Sequence, residues 1–411
     1  MARRLGVASG AVLALALAYL VGGDGSPGWQ AARVLLVVGV TAVGAVIAAR
    51  TGPAGRGSVG FAAGALGVTV GLAIGLPHMA KSGLTVVSLA GSAALVAGAM
   101  LLAMGAWHIL RGRRWWVKIP LAAAMLLVVA GSLLTLGQAL AATNVAPTAL
   151  ATDTPAQYGL EYREATLRAS DGVALSGWYV PSVKGSAVVL RHGAGSTRTD
   201  VLPQAAALAD MGFGVLMPDA RGHGNSQGRA MDFGWYGDLD IRAAVDYLAG
   251  EPGVVDDRIA VVGLSMGGEE AIGAAAADPR ISAVVAEGAG QRVAADKAWL
   301  SDVYGWRGAL QEHVERITFA TADVLTDAAP PIPLREAAAA AAPRPMLLIA
   351  GGATADEARA AGAIRSGSPG SVTVWIVPGA GHIGGLATQP EQWAQRVGGF
   401  LARSLAGAEA S

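Results

Sequence analysis

The chain has 411 residues, 53% of them hydrophobic, and a formal net charge of zero. That length suits two domains, and the absence of cysteine excludes disulfides, thiolate catalysis and cysteine-ligated metals. The neutral balance hides a division, because residues 1–152 hold ten Lys/Arg and one acidic residue, Asp24, while twenty basic and twenty-nine acidic residues follow. A basic, apolar block is therefore joined to an acidic block of globular composition.

Five apolar runs in the first block are long enough to cross a bilayer, which takes about 20 helical residues. They lie near Leu5–Val21, Ala31–Ala49, Val59–Leu76, Leu84–Ile109 and Ile119–Ala141. Turn-rich breaks separate them at residues 23–27, 51–53, 77–81 and 111–114. Arg3 and Arg4 before the first run would also suit a signal peptide, but no small-x-small cleavage site stands out, so an uncleaved first span is expected. The block is read as a transmembrane helical domain over residues 1–142 with about five helices.

Basic residues near span ends favour the cytoplasmic side. Arg3, Arg4, Arg50, Arg56, Arg111, Arg113, Arg114 and Lys118 fall on one side of the expected spans, and only Arg33 and Lys81 on the other. A cytoplasmic N-terminus and an extracytoplasmic C-terminal block are thus expected, in a multi-pass protein of the cell membrane. No acidic residue interrupts the runs, which argues against an ion or proton path. His78 and His108, near span ends, read as structural. Gly60, Gly64, Gly67 and Gly71 would allow close helix packing, and Trp115 and Trp116 suit interfacial anchors.

Residues 143–158, with Pro147 and Pro155, read as a linker to a domain over 159–411. There, short apolar strands alternate with helical segments, the pattern of a mainly parallel sheet covered on both faces. Strands are expected at Arg163–Arg168, Ala174–Tyr179, Ala187–Leu190, Gly214–Met217, Ile259–Val262, Ala283–Ala286, Met346–Ile349 and Thr373–Val377. Ser170-Asp171-Gly172 is a hairpin signal between the first two. Helices fit Val201–Met211, Tyr236–Gly250, Gly267–Ala276 and Glu391–Leu405. The strand at 259–262 runs into a Gly-x-Ser-x-Gly turn, with Gly263, Ser265 and Gly267, and then into small, helix-prone residues. A serine on such a turn presents its hydroxyl clear of the backbone, as the nucleophile of a serine hydrolase does.

Five pieces in order carry a more specific resemblance: residues 177–181 (GWYVP), 191–196 (RHGAGS), 218–226 (PDARGHGNS), 263–268 (GLSMGG) and 379–382 (GAGH). The chain from about 160 to 405 resembles the α/β-hydrolase superfamily, in its dienelactone-hydrolase-like and serine-aminopeptidase-like branches. The resemblance implies an eight-stranded, mainly parallel sheet with a small helical cap, here an insertion at about 288–343 holding Trp299, Tyr304, Trp306 and Phe319. An extended helical crossover is the other reading of that insertion.

The serine needs a base to take its proton. Of the six histidines, His382 alone follows the last strand and satisfies the order serine, acid, histidine. The resemblance implies an acid in the loop after the 346–349 strand, where Asp356 is favoured, then Glu357, with Glu287 third. It also implies an oxyanion hole from the backbone N–H groups of Met266 and Ala194, supported by His192, Gly193, Gly263 and Gly267. Asp219, Arg221 and His223 read as a structural turn. Gly193–Ser196 lacks the Gly-Lys-Ser/Thr of a phosphate loop.

Expected, then, is a membrane-anchored serine hydrolase cleaving carboxylic esters through an acyl-enzyme. A peptidase or amidase of the same fold comes second, and a non-catalytic receptor or scaffold is the alternative of another class. A small-molecule or lipid-like acyl substrate and the membrane are the expected partners; no cofactor, metal or nucleic acid is expected.

Overall fold

The computed structural model describes residues 2–22 and 27–406, so residues 23–26 of the first expected break, Asp24 among them, lie outside the described residues. The described chain divides into two compact units, Met1–Ala146 with His313–Asp327, and Pro147–Glu312 with Ala328–Ser411.

In the first unit the apolar runs form helices α1 (Ala2–Gly22), α2 (Pro27–Arg50), α3 (Pro53–Val70), α4 (Leu76–Ser82), α5 (Val86–Leu110), α6 (Trp115–Ser132) and α7 (Gln138–Thr143). π-turns at Gly71–Gly75 and Leu133–Gly137 join α3 to α4 and α6 to α7 without a break. Among the described residues, four helical stretches are long and apolar enough to cross a membrane, Pro27–Arg50, Pro53–Ser82, Val86–Leu110 and Trp115–Thr143, and Leu5–Val21 is a shorter apolar helix. The start of α5 is fixed by Thr85, whose hydroxyl accepts from Ser88 N–H while the Ser88 hydroxyl accepts from Thr85 N–H.

Glycine sets the contact between α3 and α5. Gly57, Gly64 and Gly71 recur every seven residues on one helix, as do Gly91, Gly98 and Gly105 on the other. A Cβ on Gly64 would lie 2.2 Å from Leu102 N, and one on Gly105 2.4 Å from Phe61 N, so the backbones meet where no side chain fits. Thr69 and Ser132 hydroxyls, 2.9 Å apart, add a hydrogen bond between α3 and α6.

The second unit is built on strands β1 (Arg163–Arg168), β2 (Ala174–Val180), β3 (Ala187–Arg191), β4 (Gly214–Pro218), β5 (Ile259–Leu264), β6 (Ile281–Glu287), β7 (Met346–Gly351) and β8 (Val372–Val377). They form one sheet in the order β1-β2-β4-β3-β5-β6-β7-β8. The β1–β2 and β2–β4 pairs are antiparallel and the others parallel. Alternate residues of the central strands enter opposite cores. Val189 and Val261 pack with helices α9 (Gly237–Ala249) and α10 (Met266–Ala277); Val188 and Val262 pack with α8 (Leu202–Asp210). Burial on both faces is why these strands read as continuous apolar runs.

Between β6 and β7 lie α11 (Leu300–Tyr304), α12 (Trp306–Leu325) and α13 (Leu334–Ala341). The insertion expected at 288–343 is thus composite. Leu334, Ala337 and Ala341 of α13 are buried in the core beside α10, as in a crossover helix, whereas His313–Asp327 belongs to the first unit. After β7 come α14 (Glu357–Arg365), α15 (Gly385–Thr388) and α16 (Pro390–Ser404), the last with Trp393 and Val397 in the second core. The linker is partly pinned: Thr148 accepts a hydrogen bond from Gly224 N–H at 2.9 Å and donates to Gly195 O at 3.1 Å.

Candidate active site

Ser265 stands between the end of β5 and the start of α10 with φ 54° and ψ −123°. A residue with a side chain rarely adopts a positive φ, and such strain collects at functional turns. It is fixed here because Ser265 N–H donates to Glu287 O at 2.7 Å, while its carbonyl accepts from Gly268 N–H at 2.9 Å. The flanking glycines are required by space. A Cβ on Gly263 would lie 2.1 Å from Gly267 O, and one on Gly267 would lie 2.6 Å from both Arg191 O and His192 O.

His382, in the loop after β8, brings Nε2 to 2.8 Å from Ser265 Oγ and Nδ1 to 2.6 Å from Glu357 Oε1. The other Glu357 oxygen accepts from Gly351 N–H at 2.7 Å, so the carboxylate is held on both sides. The expected preference for Asp356 is corrected by this arrangement. Asp356 has φ 67° at the N-cap of α14 and accepts from the Tyr304 hydroxyl. The position on the histidine is held by Glu357, the first residue of α14. Glu287, the third candidate, is also elsewhere. Its buried carboxylate accepts from Gly385 N–H at 2.7 Å and Trp393 Nε1–H at 3.1 Å, and burial raises its pKa above the usual range.

Glu287 has a positioning part that the sequence does not announce. Its backbone carbonyl holds the Ser265 turn and its carboxylate holds the loop after His382. Gly288, at φ 72°, passes so close under the imidazole that a Cβ there would lie 2.8 Å from His382 Cε1. Tyr304 is another contact the sequence gives no signal for, because nothing local links residues 304 and 356.

Met266 opens α10, so its N–H has no acceptor one turn earlier in the helix. Gly193 runs beside the serine, where an added Cβ would lie 3.1 Å from Ser265 Cβ and 3.7 Å from Oγ. Ala194, next in that loop, is exposed. His192 is buried: Nε2 accepts from Ala220 N–H at 2.8 Å, so the proton is on Nδ1, which donates to Gly193 O at 2.8 Å. Desolvation, with Arg191 and His223 nearby, holds its pKa well below the ordinary value. His192 is therefore a neutral brace under the glycine loop. Asp219 accepts from Arg198 and Asn225 N–H, and Arg221 pairs with Asp240 at 2.6 Å and Asp171 at 2.6 Å, which fixes the neighbouring turn. Among the described residues, no cluster of three or more histidine or acidic side chains could hold a metal ion.

The family described as serine aminopeptidase, S33, matches residues 183–353, a stretch that holds Ser265 and the 191–196 loop and stops before Glu357 and His382. An uncharacterized protein of Mycobacterium tuberculosis is 35% identical over 126 residues, 30% of this chain and 44% of that protein. A thiohydrolase of Aspergillus aculeatus is 32% identical over 133 residues, 30% of this chain and 40% of the other. The chain thus spans less than half the length of these curated relatives. Among solved structures, an esterase of Pyrococcus furiosus is similar at 25% identity and a TM-score of 0.51, covering 63% of this chain and 97% of that one. Strand order, matched family and structural likeness agree: the second unit belongs to the α/β-hydrolase superfamily, in a chain whose N-terminal helices are apolar enough to be membrane spans.

Proposed function

We propose that the chain is a membrane-anchored serine hydrolase that cleaves carboxylic esters through an acyl-enzyme. The observation that carries this reading is the unbroken hydrogen-bond chain from Ser265 through His382 to Glu357. In the proposed cycle Ser265 Oγ attacks the carbonyl carbon while His382 Nε2 takes its proton. Glu357 holds the imidazole tautomer and stabilises the imidazolium. The N–H groups of Met266 and Ala194 receive the oxyanion. Collapse of the tetrahedral intermediate breaks the carbon–oxygen bond, and the leaving alcohol takes the proton from His382. Water, deprotonated by the same nitrogen, then attacks the acyl carbon and frees the acid and Ser265.

The likeness to an esterase supports esters first. Amides and peptides come second, favoured by the description of the matching family. The proposed orientation, N-terminus cytoplasmic and hydrolase unit extracytoplasmic, draws support from the eight basic residues on one side of the spans.

The test uses the purified full chain and a panel of soluble acyl esters. Ser265→Ala is expected to lower kcat/KM by about a thousandfold or more. An unchanged rate would remove Ser265 from the chemistry, and a wild-type chain inert to every ester, thioester and amide would favour the receptor or scaffold reading.

A further inference from the structure

Helix α12 is apolar on two opposite sides. On its inner side Thr318, Phe319 and Ala322 are buried, and Leu325 packs on the core of the helical unit with Leu13, Val70 and Leu140. Thr318 Oγ1 donates to Leu134 O at 3.4 Å, and Asp327, just past the helix, pairs with Arg33 at the start of α2 at 3.5 Å. The outer side would be polar on a helix facing water. Instead Trp306, Leu310, Ile317 and Val324 lie there, within about 40° of one line at 100° per residue, and are 77%, 58%, 41% and 58% exposed. Arg307, Arg316 and Asp323 flank the line, and His313 is the one ionisable side chain close to it.

Two observations say what covers this stripe. Residues 313–327 belong to the helical unit, whose own spans carry apolar side chains equally exposed, such as Leu35 at 69% and Leu126 at 70%. Ile317 and Val324 of the stripe lie in that unit. The far end of α12 is held by Arg33, which sits under the Trp29 ring at 5.8 Å, a tryptophan and a cation at the end of a span as at a bilayer interface. Trp306 at the other end is likewise a residue of that layer. A helix with such a face lies in the interface plane with its apolar side among the acyl chains.

We propose that α12 is an interfacial helix whose Trp306–Leu310–Ile317–Val324 stripe rests on membrane lipid, and that the ester substrate is a lipid drawn from that layer. The second half rests on the serine-hydrolase reading. It follows from the start of the helix, since Tyr304, two residues before α12, donates to Asp356, the neighbour of Glu357. The lipid-facing stripe thus begins beside the candidate site.

The chain has no cysteine, so single introduced cysteines give unambiguous labels. Leu310→Cys, Ile317→Cys, Val324→Cys and the control Gln311→Cys would be nitroxide-labelled in the full chain, in phosphatidylcholine–phosphatidylglycerol vesicles. Labels at 310, 317 and 324 are expected to relax with oxygen far more than with a water-soluble nickel chelate, and the label at 311 the reverse. Water-like relaxation at the three positions, or shielding from both reagents, would overturn the lipid contact. Ile317→Asp is expected to lower hydrolysis of a long-chain diacyl lipid in vesicles by about tenfold and to leave a short soluble ester unchanged. Equal loss on both would overturn the substrate half. Lipid-facing labels in a chain that cleaves neither ester would support the contact and overturn the hydrolase reading.

Discussion

Two adjacent carboxylates have different partners on either side of the start of α14. Asp356 takes a left-handed conformation to start α14 and bonds Tyr304, whereas Glu357, in the first turn, reaches His382 and Gly351 N–H. Under the proposed mechanism, Glu357→Gln keeps the shape but leaves the imidazolium without its counter-charge. It is expected to lower kcat by about 10²–10⁴-fold, while Asp356→Asn stays within about threefold of wild type on a soluble ester, a surface-type change. Equal losses would return the acid role to Asp356. The Ser265–His382 contact was legible in the sequence because a glycine-flanked serine after a strand and a histidine after the last strand are local signals. The carboxylate that meets the histidine was not, because no local signal marks that α14 begins at Glu357.

Among elements, the sheet was readable because its central strands are buried on both faces and appear as uninterrupted apolar runs. The spans were readable for a similar reason, being apolar all round. Helices α13 and α14 went unread: the first is a run of alanines between Pro333 and Pro343, the second is short and interrupted by Gly362. Of the glycine face between α3 and α5, Gly60, Gly64, Gly67 and Gly71 were readable as a close-packing surface, and the matching Gly91, Gly98 and Gly105 of α5 emerge from the backbone approach. Gly64→Leu would drive a side chain into Leu102 backbone atoms. Overpacking of this kind costs about 1–3 kcal/mol or more, so thermal unfolding of the full chain in detergent is expected to shift several degrees downward. An unchanged Tm would mean that the two helices part freely.

At the scale of the whole chain, the charge division between residues 1–152 and the rest gives no sign that residues 313–327, far along the acidic part, belong to the first unit. That membership is a long-range packing choice, made by Thr318, Phe319 and Ala322 on one face of α12, and no local pattern encodes it. Arg33, an exception to the expected basic bias, pairs with Asp327 of that segment at 3.5 Å.

All of these levels converge on whether the Ser265 hydroxyl is an activated nucleophile. Incubation of the intact chain in lipid vesicles with a fluorophosphonate, followed by peptide mass analysis, reads that directly. One adduct is expected, on Ser265, absent in His382→Ala. A chain that stays unmodified while a control esterase labels fully, or an adduct on another residue, would contradict the account.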